Sequence, residues 1–282
     1  MASPRSGSVQ DRGSRIVYVD KPLVFKDASW IDPEGSVSLF EDFLSAHGTL
    51  ATGNCTITQG GTPATAAALN ATAGPAPVGQ GGWVAGSVQA ADDEIDEVAL
   101  GGVTWINPTR AGNGMAVCEF GFVVPVALTA RRYFAGFGTA TTAAGADGTL
   151  SIVTGITLVD GSGTGDGAGF VYSSTATDVD GWYIGAVKAT VVGTAVNSGL
   201  TAIVDNYQKL RVEIDSDGNV FFFGGVDDAS TPVNRAVPVG FVGSAAAAVT
   251  ANELYIPIFS AASTTTTAVE WEVDYIFGAC AA

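Results

Sequence analysis

Short apolar runs recur along this sequence from residue 55 to its end, and clusters of Gly, Asp, Asn, Ser and Thr separate them. Runs of this kind, bounded by turn residues, are typical of β-strands. No amphipathic pattern longer than about two helical turns follows residue 50. Many strands without interleaved helices predict an all-β fold, an antiparallel sandwich of two sheets.

The predicted strands begin where the compact body begins, at VSLFEDFLS, residues 37–45. The others are CTITQ, GGWVAGSVQ, VTWIN, AVCEFGFVV, RRYFAGFG, LSIVTGI, GFVYSS, GWYIGAVKA, YQKLRVEID, NVFFFGGV, NELYIPIF and EWEVDYIF. The segment ADDEIDEVA, residues 91–99, is predicted to form either a short helix or a polar loop.

One hairpin is specified with particular clarity, because YQKLRVEID alternates apolar and charged residues over 207–215. The next residues, SDGN, supply turn chemistry, with Gly218 able to adopt positive φ. The returning strand carries rings on both faces at Phe221, Phe222 and Phe223, and YIPIF at 255–259 is also apolar on both faces.

A two-layer sandwich normally needs only one apolar face on each strand. Something is therefore expected to cover the second face of these strands: another subunit, the N-terminal segment, a loop, or deep burial within one subunit. We expect a homo-oligomer, because large exposed apolar patches are rare on monomers. The predicted contact residues are Phe221, Phe223, Tyr255 and Phe259.

Charge is distributed unevenly along the chain. The formal net charge of the 282 residues is −16, so binding to nucleic acid is not expected. The first 26 residues carry five basic and two acidic side chains, a charge of +3, which leaves −19 for the remainder. Residues 1–36 are therefore predicted to form an extended basic arm, and residues 37–282 one acidic domain. Neither a secretory signal nor a membrane span is predicted.

The body resembles the jelly rolls of the concanavalin-like lectin/glucanase superfamily. The resemblance rests on SLFEDFL, on YQKLRVEIDSDGNVFFFGG and on the closing VDYIF. Glycosidases of that superfamily carry Glu-x-Asp-x-Glu or Glu-x-Asp-x-x-Glu on one strand. Strand alternation would place Glu270, Glu272 and Asp274 on one face, opposite four apolar side chains. Counted from Glu270 or from Glu272, neither motif is completed, so we predict no catalysis.

Other chemical sites are weakly supported by the sequence. His47 is the only histidine, and a zinc or triad site would need more partners than it has. The stretch DGSGTGDGAGF, residues 160–170, is followed by a predicted strand rather than the helix that a dinucleotide site needs. DSDGN has Val226 where a calcium loop needs Glu. No cofactor is expected. Binding of a cation between loops by Asp178 and Asp180 remains an open alternative.

In a sugar-binding protein, aromatic side chains at the ends of loops would stack on the sugar. The five candidates are Trp30, Trp83, Trp105, Trp182 and Trp271. Trp182 follows a turn, in DVDGWYIG, at the point where a strand leaves a loop. Core packing is the default expectation for each of the five indoles.

The chain as a whole also resembles structural proteins of tailed-bacteriophage virions. The resemblance rests on TWINPTRAGNGMAVCEFGFVVPVALTARRYFAGFG, GFVYSSTATDVDGWYIGAVKA and QKLRVEIDSDGNVFFFGG. It implies a capsid decoration (cement) protein, assembled in the host cytoplasm, located in the virion and bound to the major capsid protein. It also implies a homotrimer, because such proteins often lie on threefold axes.

In that interpretation the basic arm would contact neighbouring capsid subunits or exchange between protomers. Its basic residues are Arg5, Arg12, Arg15, Lys21 and Lys26. Two other functions remain open. The alternative is a glycan-binding lectin-like or tail-fibre domain, and the third is a glycoside hydrolase of concanavalin-like fold.

Overall fold

The computed structural model describes part of the chain, including most residues after 94. The described residues are 10–12, 15–17, 37–41, 55–60, 72–75, 82–88, 95–101, 106–108, 115–124, 128–139, 150–160, 165–189, 191–227, 237–265 and 269–280. Within these ranges no helix is long and apolar enough to cross a membrane.

The described residues form twenty β-strands. The first ten are β1 (Gln10–Arg12), β2 (Arg15–Val17), β3 (Val37–Glu41), β4 (Cys55–Gly60), β5 (Thr72–Pro75), β6 (Gly82–Val88), β7 (Ile95–Leu100), β8 (Met115–Val123), β9 (Arg131–Gly138) and β10 (Ser151–Thr154). The others are β11 (Thr157–Val159), β12 (Gly167–Ser173), β13 (Gly181–Lys188), β14 (Val191–Val192), β15 (Val196–Thr201), β16 (Tyr207–Asp215), β17 (Val220–Val226), β18 (Gly240–Ala245), β19 (Ile256–Ser263) and β20 (Val269–Cys280).

Two eight-stranded antiparallel sheets make up the sandwich, which confirms the predicted fold class. Sheet 1 has the order β14-β13-β12-β9-β19-β7-β4, with β15 also paired to β13. Sheet 2 has the order β18-β17-β16-β8-β20-β6-β5, with β3 also paired to β20. The pairs β1–β2 and β10–β11 form separate two-stranded sheets.

The main core lies between the two sheets and is rich in aromatic side chains. Phe122 of sheet 2 contacts Trp182 of sheet 1 with ring centroids 5.7 Å apart, and Phe170 contacts Phe222 at the same separation. All four rings have relative exposures of 0%. Edge-to-face contacts of this kind add to the stabilisation that burial alone provides.

A second apolar layer covers the outer face of sheet 1. Ile152 and Leu158 of the β10–β11 hairpin are buried in one cluster with Ile256 and Ile258 of β19. The β10–β11 hairpin of the same chain therefore covers the second apolar face of YIPIF. The sequence alone had also allowed another subunit to cover it. Tyr255 and Phe259, two of the predicted contact residues, are buried between the sheets with exposures of 0% and 1%.

The segment at residues 91–99 is the clearest departure from the sequence prediction. Residues 95–100 form β7, a buried strand between β4 and β19, so the prediction of a short helix or polar loop was wrong. Asp96 is tolerated there because it points into the core, where it accepts a hydrogen bond from Trp271.

The β16–β17 hairpin forms at the predicted strands and turn. Asp215 Oδ1 accepts hydrogen bonds of 2.9 Å from the backbone N–H groups of Asp217 and Asn219, and Gly218 has a φ of 78°. The side chain of Asp215 therefore closes the turn, as an Asx residue does.

Candidate functional site

The candidate site lies on the outer face of sheet 2. A β-bulge in β20 turns onto this face side chains that strand alternation had placed on the opposite one. In the β20–β8 ladder the register shifts between Val273 and Tyr275. Tyr275 and Phe277 consequently join an outer cluster with Val237, while Val273 stays in the core between the sheets. The predicted alternation was thus wrong beyond Val273, because a bulge places one extra residue in the strand.

Two carboxylates on this face are held by tyrosines. Asp274 Oδ2 accepts a hydrogen bond of 2.5 Å from Tyr207 Oη, and Glu119 Oε1 accepts one from Tyr275 Oη. Asp274 is only 4% exposed. Hydrogen bonds to a carboxylate are short and strong, and they fix its position.

Glu272 lies on the same face and has a raised pKa. Its half-buried position raises its pKa above the ordinary value, and repulsion from Asp205 and Glu270 raises it further. A raised pKa is a property of general acids, but it also occurs in structural clusters. Glu270 beside it is exposed, as the sequence predicted for this end of the strand.

Five side chains lie directly opposite one another across five neighbouring strands of the same face. In order from the sheet edge they are Phe241, Phe223, Arg211, Glu119 and Phe277. Phe241 is 61% exposed, whereas Phe277 is 7% exposed. The row is therefore open at the β18 edge and covered toward β20.

The open end of that row combines rings with a cation. The ring centroids of Phe223 and Phe241 are 5.6 Å apart with an interplanar angle of 70°, and Arg211 Cζ lies 5.1 Å from the Phe223 centroid. Arg211 also forms an ion pair with Glu213. We call Phe223, Phe241 and Arg211 the outer aromatic row. Phe221 lies on the same face, opposite Glu213.

The carboxylates of Asp166 and Asp178 accept hydrogen bonds from other groups of the chain. Asp166 accepts hydrogen bonds from the backbone N–H groups of Ala189 and Thr250. Asp178 accepts from Asn197 Nδ2 at 2.8 Å and from the N–H of Asp180 at 3.3 Å. Among the side chains that the structure describes, no three His, Cys, Asp or Glu residues are grouped to hold a metal ion.

The remaining predicted residues fall into three groups. Trp182 and Trp271 are core residues, with exposures of 0% and 1%, so neither is placed to stack on a sugar. Arg12 and Arg15 are backbone register partners in the β1–β2 ladder. Residues that lie outside the described part of the chain are Arg5, Lys21, Trp30, Lys26, His47 and Trp105.

Only part of the outer aromatic row could be predicted from the sequence. The predicted β16–β17 hairpin, closed at SDGN, already places Arg211 opposite Phe223. Phe241 was missed because its strand, GFVGSA, lacks the β-branched and aromatic density of a typical strand signal.

Solved structures with the same fold include two plant lectins. No family model matches the sequence. No curated protein matches it either. A protein of unknown function from Shewanella oneidensis MR-1 is 13% identical, with 87% of this chain and 86% of that chain covered and a TM-score of 0.51. Basic winged bean lectin, solved with Tn-antigen, is 8% identical, with coverages of 87% and 98% and a TM-score of 0.51.

The seed lectin of Lotus tetragonolobus is 12% identical to this chain, with 86% of this chain and 98% of the lectin covered and a TM-score of 0.50. Identities this low indicate a shared fold and leave the ligand undetermined. The fold is consistent with the concanavalin-like jelly roll that the sequence resembles.

Proposed function

We propose that this chain is a non-catalytic, lectin-like module that binds carbohydrate at the outer aromatic row. The observation that carries the proposal is the position of Phe241, a 61% exposed ring at the sheet edge that packs against Phe223. An exposed phenyl ring that packs against a neighbouring ring offers a rigid apolar surface, which loses little conformational entropy when a ligand covers it.

The chemistry of the row suits a pyranose ring. The C–H face of a sugar can stack on Phe241, while its hydroxyl groups can accept from the partly exposed Arg211, which lies next to the rings. A small number of placed polar groups beside an apolar surface is the usual composition of a small-molecule site.

Binding rather than hydrolysis is supported by the state of the nearby carboxylates. Asp274 and Glu119 each accept a hydrogen bond from a tyrosine, and Asp274 is buried. A glycosidase needs two carboxyl groups that both reach the scissile bond, at about 5 to 9.5 Å from each other. Asp274 is buried and Glu119 is hydrogen-bonded to Tyr275, so this pair does not meet that requirement.

The test is a glycan array on the full chain, followed by calorimetry on the best ligand. Phe241→Ala should weaken binding by about tenfold or more, the loss expected from roughly 1.4 kcal/mol of stacking. Leu254→Ala is a matched control, because Leu254 is also exposed, at 44%, but lies in the 251–254 loop. Unchanged affinity in Phe241→Ala, or no glycan bound at all, would contradict the proposal.

A second candidate is decoration of a tailed-phage capsid, with the major capsid protein as partner and the virion as location. It is favoured by one feature of the sequence: a first segment of charge +3 attached to a body of charge −19. Deletion of residues 1–30 should leave the sandwich folded and weaken attachment to expanded capsids. Equal attachment of the truncated and full chains would argue against this role.

A further inference from the structure

Exposed apolar side chains are concentrated at one edge of sheet 1. Seven large hydrophobic side chains are exposed among the described residues, and five of them lie at this edge. The five are Val153 (39% exposed), Ile156 (44%), Val179 (50%), Val191 (74%) and Val196 (58%). They belong to the β10–β11 hairpin, the loop before β13, and the edge strands β14 and β15.

Backbone contacts join these segments into one surface, which we call the edge patch. The N–H of Ala195 donates to the carbonyl of Ile156 at 3.2 Å, and Thr157 forms an isolated bridge with Thr194. On the other side, the N–H of Thr177 donates to the carbonyl of Gly155 at 2.9 Å. The five side chains therefore lie on continuous, hydrogen-bonded structure rather than on separate loops.

The hairpin and edge-strand segments of the edge patch contain no charged residue, although the chain has a net charge of −16. Residues 150–159 and 189–204 include no Asp, Glu, Lys or Arg. Edge strands of monomeric proteins usually carry charged residues or proline that prevent pairing. Contiguous exposed apolar surface without such residues is characteristic of a protein contact.

Charged residues flank the edge patch, and they differ in sign between its two ends. Asp178 and Asp180 precede the first residue of β13, Gly181, and Lys188 is its last residue. Seven residue steps of strand place these ends about 23 Å apart. Val196 lies between them, because it pairs with Ile184 near the middle of β13.

We propose that the edge patch binds a second copy of this chain, with the two edges antiparallel about a two-fold axis near Val196. An antiparallel arrangement places Lys188 of one subunit beside the partner subunit's Asp178 and Asp180, at both ends of the contact. A parallel arrangement would instead bring like charges together. Opposite charges at the rim set the orientation of such a contact, while the apolar centre provides its stability.

A contact about a two-fold axis is complete with two copies, so it predicts a dimer rather than the trimer that the virion resemblance implies. Its side chains are different from those of the outer aromatic row, which lies on sheet 2. In sedimentation velocity at micromolar concentration, the full chain should sediment as a dimer, with twice the 28.5 kDa mass of one chain. Val196→Glu should sediment as a monomer with an unchanged far-ultraviolet circular dichroism spectrum.

The matched control is Leu254→Glu, which places the same charge at an exposed apolar site outside the edge patch. This control should remain a dimer. A wild-type monomer or trimer would overturn the proposal, and so would a dimer in Val196→Glu as stable as that in Leu254→Glu.

Charge reversal tests the antiparallel orientation separately. Lys188→Glu and Asp180→Lys should each raise the dimer dissociation constant by about tenfold, and the double variant should recover most of the lost affinity. Lys188 Nζ also donates to the carbonyl of Ala247 at 3.2 Å, and the double variant does not restore that bond. Recovery in the double variant therefore reports on the contact between subunits, and additive losses would overturn the two-fold arrangement.

Discussion

The indole Nε1 of Trp271 donates a hydrogen bond of 2.8 Å to Asp96 Oδ2, and this bond joins sheet 2 to sheet 1 through the core. A second bond runs in the opposite direction, from Trp182 Nε1 of sheet 1 to Gln208 Oε1 of sheet 2, at 2.7 Å. All four residues are at most 2% exposed. The two tryptophans thus satisfy buried polar groups while they fill the space between the sheets.

The two bonds should differ in strength, because one acceptor is a carboxylate and the other an amide. Trp271→Phe should lower the free energy of unfolding by about 3 kcal/mol, and Trp182→Phe by about 1.5 kcal/mol. Both substitutions remove the same indole N–H donor, so the difference reports on the acceptor, the carboxyl group of Asp96 against the amide of Gln208. Urea unfolding followed by circular dichroism measures both, and equal losses would contradict this assignment.

Glu97, the next residue of β7, should make stability depend on pH. It is 1% exposed, burial raises its pKa from 4.5 to about 7, and its Oε1 accepts no hydrogen bond from the residues that the structure describes. The folded state therefore binds more protons than the unfolded state between these two pH values. Stability falls as pH rises through this window, by about 3 kcal/mol in total.

The measurement compares the free energy of unfolding at pH 5 and pH 8 for the wild type and Glu97→Gln. The glutamine variant should lose most of this pH dependence, and it should be the more stable protein at pH 8. Glu272 also has a raised pKa and contributes with the same sign, so only the difference between the two proteins isolates Glu97. Parallel pH profiles would contradict the prediction.

The sequence predicted the strands whose signals are local. The β16–β17 hairpin was predicted in full because alternation and turn chemistry coincide in residues 207–226. In contrast, β7 was missed, since adjacent acidic residues are unusual in a buried strand and Asp96 depends on a partner distant in sequence. Asp96 finds Trp271, which is 175 residues away along the chain.

The candidate site was harder to predict than the fold. The bulge in β20 depends on the pairing with β8, and nothing within EWEVDYIF indicates it. Cover for the outer face of β19 comes from Ile152 and Leu158, about 100 residues earlier in the chain, so the sequence could not distinguish it from a subunit contact. Tertiary context decided both points.

Gly121 should be among the least replaceable residues of the outer face. A Cβ atom at this position would lie 2.1 Å from Tyr207 Oη and 2.4 Å from Tyr275 Cε1. Gly121→Ala should therefore displace one of the two tyrosines and lower stability by about 2 to 3 kcal/mol. Gly240→Ala is the matched control, because nothing lies within 4 Å of its Cβ position, and its effect should stay within about 0.5 kcal/mol. Similar midpoints of urea unfolding for the two variants would contradict this account of the packing.

The last prediction is that the full chain does not hydrolyse β-glucans. Retaining and inverting glycosidases both need an acid and a second carboxylate that face the same bond. On this face Glu272 has the raised pKa of an acid, but Asp274 and Glu119 are each engaged by a tyrosine. A reducing-end assay over pH 4 to 8 should therefore give the same rate as buffer. If sugar is released, Glu272→Gln distinguishes catalysis at this face from contamination, with Glu253→Gln in the exposed 251–254 loop as its control. Release that is abolished in Glu272→Gln and retained in Glu253→Gln would show that the chain is an enzyme, and the non-catalytic proposal would then be wrong.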